Sequence, residues 1–150
     1  MTLPRRTFLT SAAASAALVL LPLPVSAVSL DAEVAAAREA ILNGRSPAAD
    51  GVEIDAPATA ENGAQVPVTI RVDSPMTDAD HVTAIHILAT ANPVPGIGSF
   101  RLTPQLARAE VFTRIRLAEE QEFLVLAELS DGRVLQAAAR TAVAVGGCAI

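Results

Sequence analysis

The group with the clearest chemistry in this 150-residue sequence is a thiol. Cys148 is the only cysteine, and it follows Gly146-Gly147 at the C-terminal end of the sequence. An ionised cysteine sulfur is a nucleophile and a covalent attachment point. No neighbouring residue supplies a base or a strong positive field, so activation of this thiol has to come from another protein. The two glycines carry no side chain and leave the backbone unrestricted. They predict a thin, flexible arm over residues 146–150. Counted from about Ala142, its extended reach to Cys148 is on the order of 20 Å at ~3.3 Å per residue. On the residues alone three readings stand: a carrier thiol, a thiol that forms a disulfide with another chain, and an incidental tail cysteine.

No other pattern offers a catalytic centre. The sequence has no nucleophile elbow, no phosphate loop and no His-Glu-x-x-His. Neither catalytic residues nor a metal site nor a cofactor is therefore expected. His81 and His86 are five apart, which places them on opposite faces of a strand and reads as two separately hydrogen-bonded histidines. Glu119-Glu120-Gln121-Glu122 reads as a solvated hairpin loop rather than as paired catalytic carboxylates. Arg114 and Arg116 fall on one strand face with Phe112 beside them, opposite Ile115 and Leu117. That combination could bind an anion, make surface salt bridges or flank a protein interface, and the last is the preferred reading.

The elements that must position the thiol begin after an export segment. Arg5-Arg6-Thr7-Phe8-Leu9, an uncharged run from Ser11 to Leu23, and Val25-Ser26-Ala27 have the order of a twin-arginine signal with its cleavage site. Residues 1–27 are expected to be removed, and the mature protein to work in the periplasm without a membrane anchor. The run is too short, and too soon interrupted by Pro22 and Pro24, for a span of about 20 apolar residues. Loss of Arg5 and Arg6 moves the formal net charge from −5 to −7, with no lysine anywhere. Such a surface argues against nucleic acid and against anionic membranes as partners.

Ser29 to Asn43 predicts a short helix with Val34, Ala37, Ala40 and Ile41 as its apolar stripe and Asn43-Gly44 as its stop. Beyond Gly51 the pattern is β. Short strands are expected at Val52–Ile54, Val66–Val72, His81–Thr90, Gly96–Leu102, Ala109–Leu117, Phe123–Leu129 and Arg133–Val145, with turns at Glu61-Asn62-Gly63 and Ser130-Asp131-Gly132. Pro67 cannot donate to a ladder, so its strand, or at least the start of it, belongs at an edge. The unbroken apolar run Phe123–Leu129 belongs at the centre of a sheet. About seven strands over residues 28–145 predict an all-β domain: an immunoglobulin-like antiparallel sandwich with a short N-terminal helix.

The stretch from Glu61 to Cys148 resembles SoxY, the sulfur-carrier subunit of the thiosulfate-oxidising Sox system. The runs that carry the resemblance are Asn62 to Ile70, Val72 to Thr77, Ala84 to Ile87, Asn92 to Pro95, Leu102 to Pro104, Ala109 to Ala118, Ser130 to Gly132 and the closing Gly146-Gly147-Cys148. The resemblance implies an immunoglobulin-like sandwich paired with a SoxZ-like subunit in a SoxYZ heterodimer, with no catalysis by this chain. It implies that Cys148 is joined to thiosulfate by a c-type cytochrome complex. A manganese-dependent hydrolase then releases sulfate, and a molybdenum–haem dehydrogenase oxidises the remaining sulfane sulfur. Gly146, Gly147 and Cys148 carry over as the arm and its attachment point. The family's tail continues with two glycines where this sequence has Ala149-Ile150.

Overall fold

A computed structural model describes residues 30–147. The export segment and Cys148 lie outside the described residues.

Among the described residues one helix and eight strands form two packed sheets. The helix, α1, spans Leu30–Leu42. The strands are β1 (Val52–Asp55), β2 (Thr59–Asn62), β3 (Val66–Val72), β4 (Val82–Ala89), β5 (Gly96–Arg101), β6 (Ala109–Ile115), β7 (Gln121–Leu129) and β8 (Val134–Val145). One sheet has the order β1-β3-β6 and the other β2-β8-β7-β4-β5. This is the immunoglobulin-like sandwich expected from the strand pattern. It departs from a purely antiparallel scheme along β8, where β2 runs parallel to its second half and Ala48 makes an isolated parallel bridge to Leu135.

Alternation builds the core. Val66, Val68, Ile70 and Val72 of β3 face Phe123, Val125, Ala127 and Leu129 of β7 in one cluster of buried side chains. In β4 a bulge between Val82 and Ala84 resets the two-residue period, so Val82, Ile85 and Ile87 all reach that core. β7 lies at the centre of the five-stranded sheet, which explains its unbroken apolar run. Its other face carries Leu126, which packs with Leu88, Val134 and Leu42 beneath the helix.

The helix stops where Asn43 and Gly44 both take positive φ. Its stripe differs from the expected one. Ala40 is exposed, and Leu42 is the side chain that the sheet buries, because α1 docks by its C-terminal turn. Arg45 secures that turn by donating to the carbonyls of Ile41 and Leu42 and to Glu128, each at 2.7 Å.

Three further expectations change, and one, the edge position of β3, holds for its start alone. Glu61 and Asn62 are not a turn but the end of β2, an eighth strand; the turn begins at Gly63. Thr-Ala-Glu-Asn has no alternating pattern, and only pairing with β8 makes it a strand. β3 as a whole is central, between β1 and β6. Only its start is at an edge, because β1 pairs Asp55 with Thr69 and ends there, leaving Pro67 clear. The link from β6 to β7 is a crossover between the two sheets rather than a hairpin. Gln121, expected in a solvated loop, is the first residue of β7 and is buried.

The histidines sit apart. His81 Nδ1 bonds the carbonyl of Thr77 at 3.0 Å. His86 has two partners: Nε2 donates to Glu128 at 2.9 Å, and the Ser99 hydroxyl donates to Nδ1 at 2.7 Å. Burial pushes the Glu128 carboxyl up, but the hydrogen bonds from Arg45 and His86 outweigh it and hold its pKa below the ordinary 4.5. A depressed carboxylate adds stability that is complete above the unfolded value and lost as pH falls through the lower folded one. Glu128→Gln is therefore expected to flatten the acid limb of the stability curve. Melting curves from about pH 6 down to about pH 3 check this; an unchanged acid slope in the variant contradicts it.

Candidate functional site: the root of the C-terminal arm

β8 delivers the chain to the thiol. Its first half pairs with β7 as far as Thr141, and its second half pairs with β2, Thr59 with Ala142 and Asn62 with Val145. The chain is then held for two more residues. The Gly147 amide donates to the carbonyl of Leu117 at 2.9 Å, and the Leu117 amide donates to the carbonyl of Gly63 at 2.8 Å. Any free reach of the tail thus starts beyond Gly147, not near Ala142 as the sequence suggested. The reason is β2, whose pairing ties down the end of β8.

The glycines of the root are matched to this close approach. A methyl group at Gly147 would collide with the backbone of Gly63 and Ala64. One at Gly146 would meet the carbonyl oxygen of Ala118, and one at Gly63 the carbonyl oxygen of Leu117. Three glycines from two distant parts of the chain thus let three backbone segments meet without side chains between them. The sequence pattern showed Gly146 and Gly147 as a thin arm. The structure gives them a second role as the packing surface of its base.

A buried polar pair holds the segment on which the root rests. Asn92 donates from Nδ2 to the carbonyl of Arg116 at 2.8 Å, and its Oδ1 accepts from the Ala118 amide at 2.8 Å. The same Oδ1 accepts from Gln121 Nε2 at 2.9 Å, while Gln121 Oε1 accepts from the Ala91 amide at 2.8 Å. Asn92 and Gln121 are 6% and 3% exposed, so these bonds form away from water, where an unpaired group costs most. In an extended chain the bonds of Arg116 and Ala118 point away from those of Leu117. Asn92 therefore grips one edge of the segment while Gly63 and Gly147 occupy the other.

Sequence reasoning missed this clamp. Asn92 read as a strand stop and Gln121 as loop, and nothing in their spacing of 29 residues points to a pair. The resemblance runs did include Asn92-Pro93-Val94-Pro95, which was the one available signal. Arg114 and Arg116 are placed as expected. They are exposed beside Phe112, which is 65% exposed, while Ile115 and Leu117 are buried. Among the described residues no group of three or more His, Cys, Asp or Glu is placed to hold a metal ion.

Comparison with known proteins bears on this site directly. The profile of a family described as sulfur oxidation protein SoxY matches residues 38–148, a span that includes the root and the cysteine. The structure of the sulfur carrier protein SoxY from Chlorobium limicola f thiosulfatophilum superposes with a TM-score of 0.59 at 31% identity, covering 74% of this chain and 96% of that one. Superoxide reductase (neelaredoxin) from Ignicoccus hospitalis has a TM-score of 0.55 at 16% identity, over 62% of this chain and 80% of that one. At that identity the likeness is one of fold. No curated protein matches the chain.

Proposed function

Because the chain belongs to the SoxY family of sulfur oxidation proteins, we propose that it carries sulfur intermediates covalently on Cys148, in the periplasm, as one half of a heterodimer with a SoxZ-like subunit. The observation that carries this reading is the root itself. The two glycines before the thiol are packed against Gly63 and Ala118 and bonded to Leu117. Cys148 is the next residue in the sequence after this anchored pair.

The chemistry assigned to this chain is attachment and presentation. A Cys148 thiolate and thiosulfate join through a new S–S bond, giving a cysteine S-thiosulfonate and releasing two electrons to a c-type cytochrome partner. Water then cleaves the terminal S–S bond at a hydrolase partner, releasing sulfate and two protons and leaving a persulfide on Cys148. A dehydrogenase partner oxidises that remaining sulfur. The twin-arginine pattern of residues 1–27 supports export to the compartment where such partners work.

Intact-mass analysis of protein isolated from cells grown on thiosulfate tests the proposal. The expected result is a population heavier by a thiosulfate-derived group that is released by reductant and maps to Cys148. Unmodified Cys148 under every reduced-sulfur condition would overturn it.

A further inference from the structure

The arginines of this acidic chain are distributed unevenly. Arg45, Arg71, Arg133 and Arg140 each pair with a carboxylate, and Arg38 donates to Gln136. Arg101, Arg108, Arg114 and Arg116 are exposed. Among the described residues none of these four makes an ion pair within the 4.0 Å limit or a side-chain hydrogen bond. All four lie on or next to β5 and β6.

Those two strands are the outer strands of their sheets, and they lie on the same side of the sandwich. A groove of about 390 Å³ runs between them, lined by Gly96 and Ile97 from one and Arg114 and Ile115 from the other. Each terminal strand leaves a row of backbone groups without a ladder partner. Val94, 69% exposed, lines this groove, and among the described residues Phe112 on β6 and Leu106 in the β5–β6 loop are also large exposed apolar side chains, at 65% and 45%. Free cations, exposed apolar groups and open strand edges coincide on one side of the molecule.

We propose that the β5–β6 side seats a second protein subunit, one whose facing surface is apolar at its centre and rimmed with carboxylates. The inference rests on the heterodimer reading above and names the surface that pairing uses. A small anion does not fit the whole pattern. It accounts for Arg114 and Arg116, which line the groove together, but β6 spans roughly 23 Å at ~3.3 Å per residue, which puts Arg108 beyond the reach of the same ligand. Nucleic acid does not fit a chain of net charge −5 with no lysine. Exposed aromatic and aliphatic groups flanked by arginine are the composition of a protein interface core and its rim. The surface also adjoins the arm root through Asn92, which lines the groove and bonds the Ala118 amide.

Arg114→Glu with Arg116→Glu tests the inference, with Arg140→Glu as a charge control away from this side. Affinity for a co-produced SoxZ-like subunit is measured over a range of salt concentrations, with hydrogen exchange read along the chain. Wild type and control are expected to bind equally, with protection concentrated in β5 and β6. The double variant is expected to bind about tenfold or more weakly, and with a shallower salt dependence. An unfolding midpoint equal to wild type shows that the fold is intact. Equal binding by the double variant overturns the surface assignment and leaves the heterodimer reading standing. Absence of any complex with the wild type overturns both. Burial of this side by a second copy of the same chain overturns the choice of partner.

Discussion

Replacing Cys148 with alanine is expected to yield a folded protein that acquires no sulfur adduct and supports no thiosulfate-dependent electron transfer above the level seen without it. The contacts described for the arm root are made by residues up to Gly147 and are kept in the variant, so stability is expected to stay within about 0.5 kcal/mol of wild type. Activity should fall completely rather than partly if the proposed function holds, because the thiol would then be the point of attachment and alanine offers no second nucleophile. Intact mass, thermal unfolding and cytochrome reduction in a reconstituted system measure the three quantities. A variant that keeps sulfur oxidation but loses a crosslink to another chain would instead establish the cysteine as an intermolecular disulfide. Purified Cys148→Ala protein that turns over thiosulfate unaided would make the chain an enzyme in its own right.

Gly147→Ala should be costly for so small a change. The added methyl meets backbone atoms of Gly63 and Ala64, which cannot rotate away as a side chain can. Relief requires either displacement of the segment after β2 or release of Gly147 from Leu117, with loss of that hydrogen bond. Overpacking of this kind costs about 2–3 kcal/mol, which for a domain of this size lowers Tm by roughly 10 °C. Gly96→Ala is the matching control. Its methyl would meet nothing within 4 Å, so it should be neutral or slightly stabilising through a less flexible unfolded chain. Equal melting temperatures for the two variants would show that the glycine contacts do not hold the root. Hydrogen exchange at the Gly147 amide separates the two modes of failure, since only release exposes it.

Much of the scaffold was legible because it is written in local periods. Val66, Val68, Ile70 and Val72 alternate because one face of β3 is buried, and the pattern states this without reference to any partner. Phe123 to Leu129 is apolar throughout because β7 is covered on both faces, by β3 on one side and by α1 on the other. Asn43-Gly44 marked the end of the helix by its tolerance of positive φ. The exposed face of β6 and of the residue just beyond it was legible for the same reason, since Phe112, Arg114 and Arg116 share a two-residue period.

What was hidden depends on residues far apart in the chain. β2 has no pattern of its own and becomes a strand by pairing with β8, more than 80 residues later. Asn92 and Gln121 look like a stop and a loop residue until the fold sets them against each other and against Arg116 and Ala118. The sequence by itself determined that the only thiol follows two glycines after a β domain, and the family resemblance supplied the cargo proposed for it. Tertiary structure decided where the arm begins. Gly146 and Gly147 read as freedom in one dimension, because a missing side chain removes a local restraint. In three dimensions the same absence lets backbone meet backbone, and the two glycines become the anchored base from which Cys148 follows.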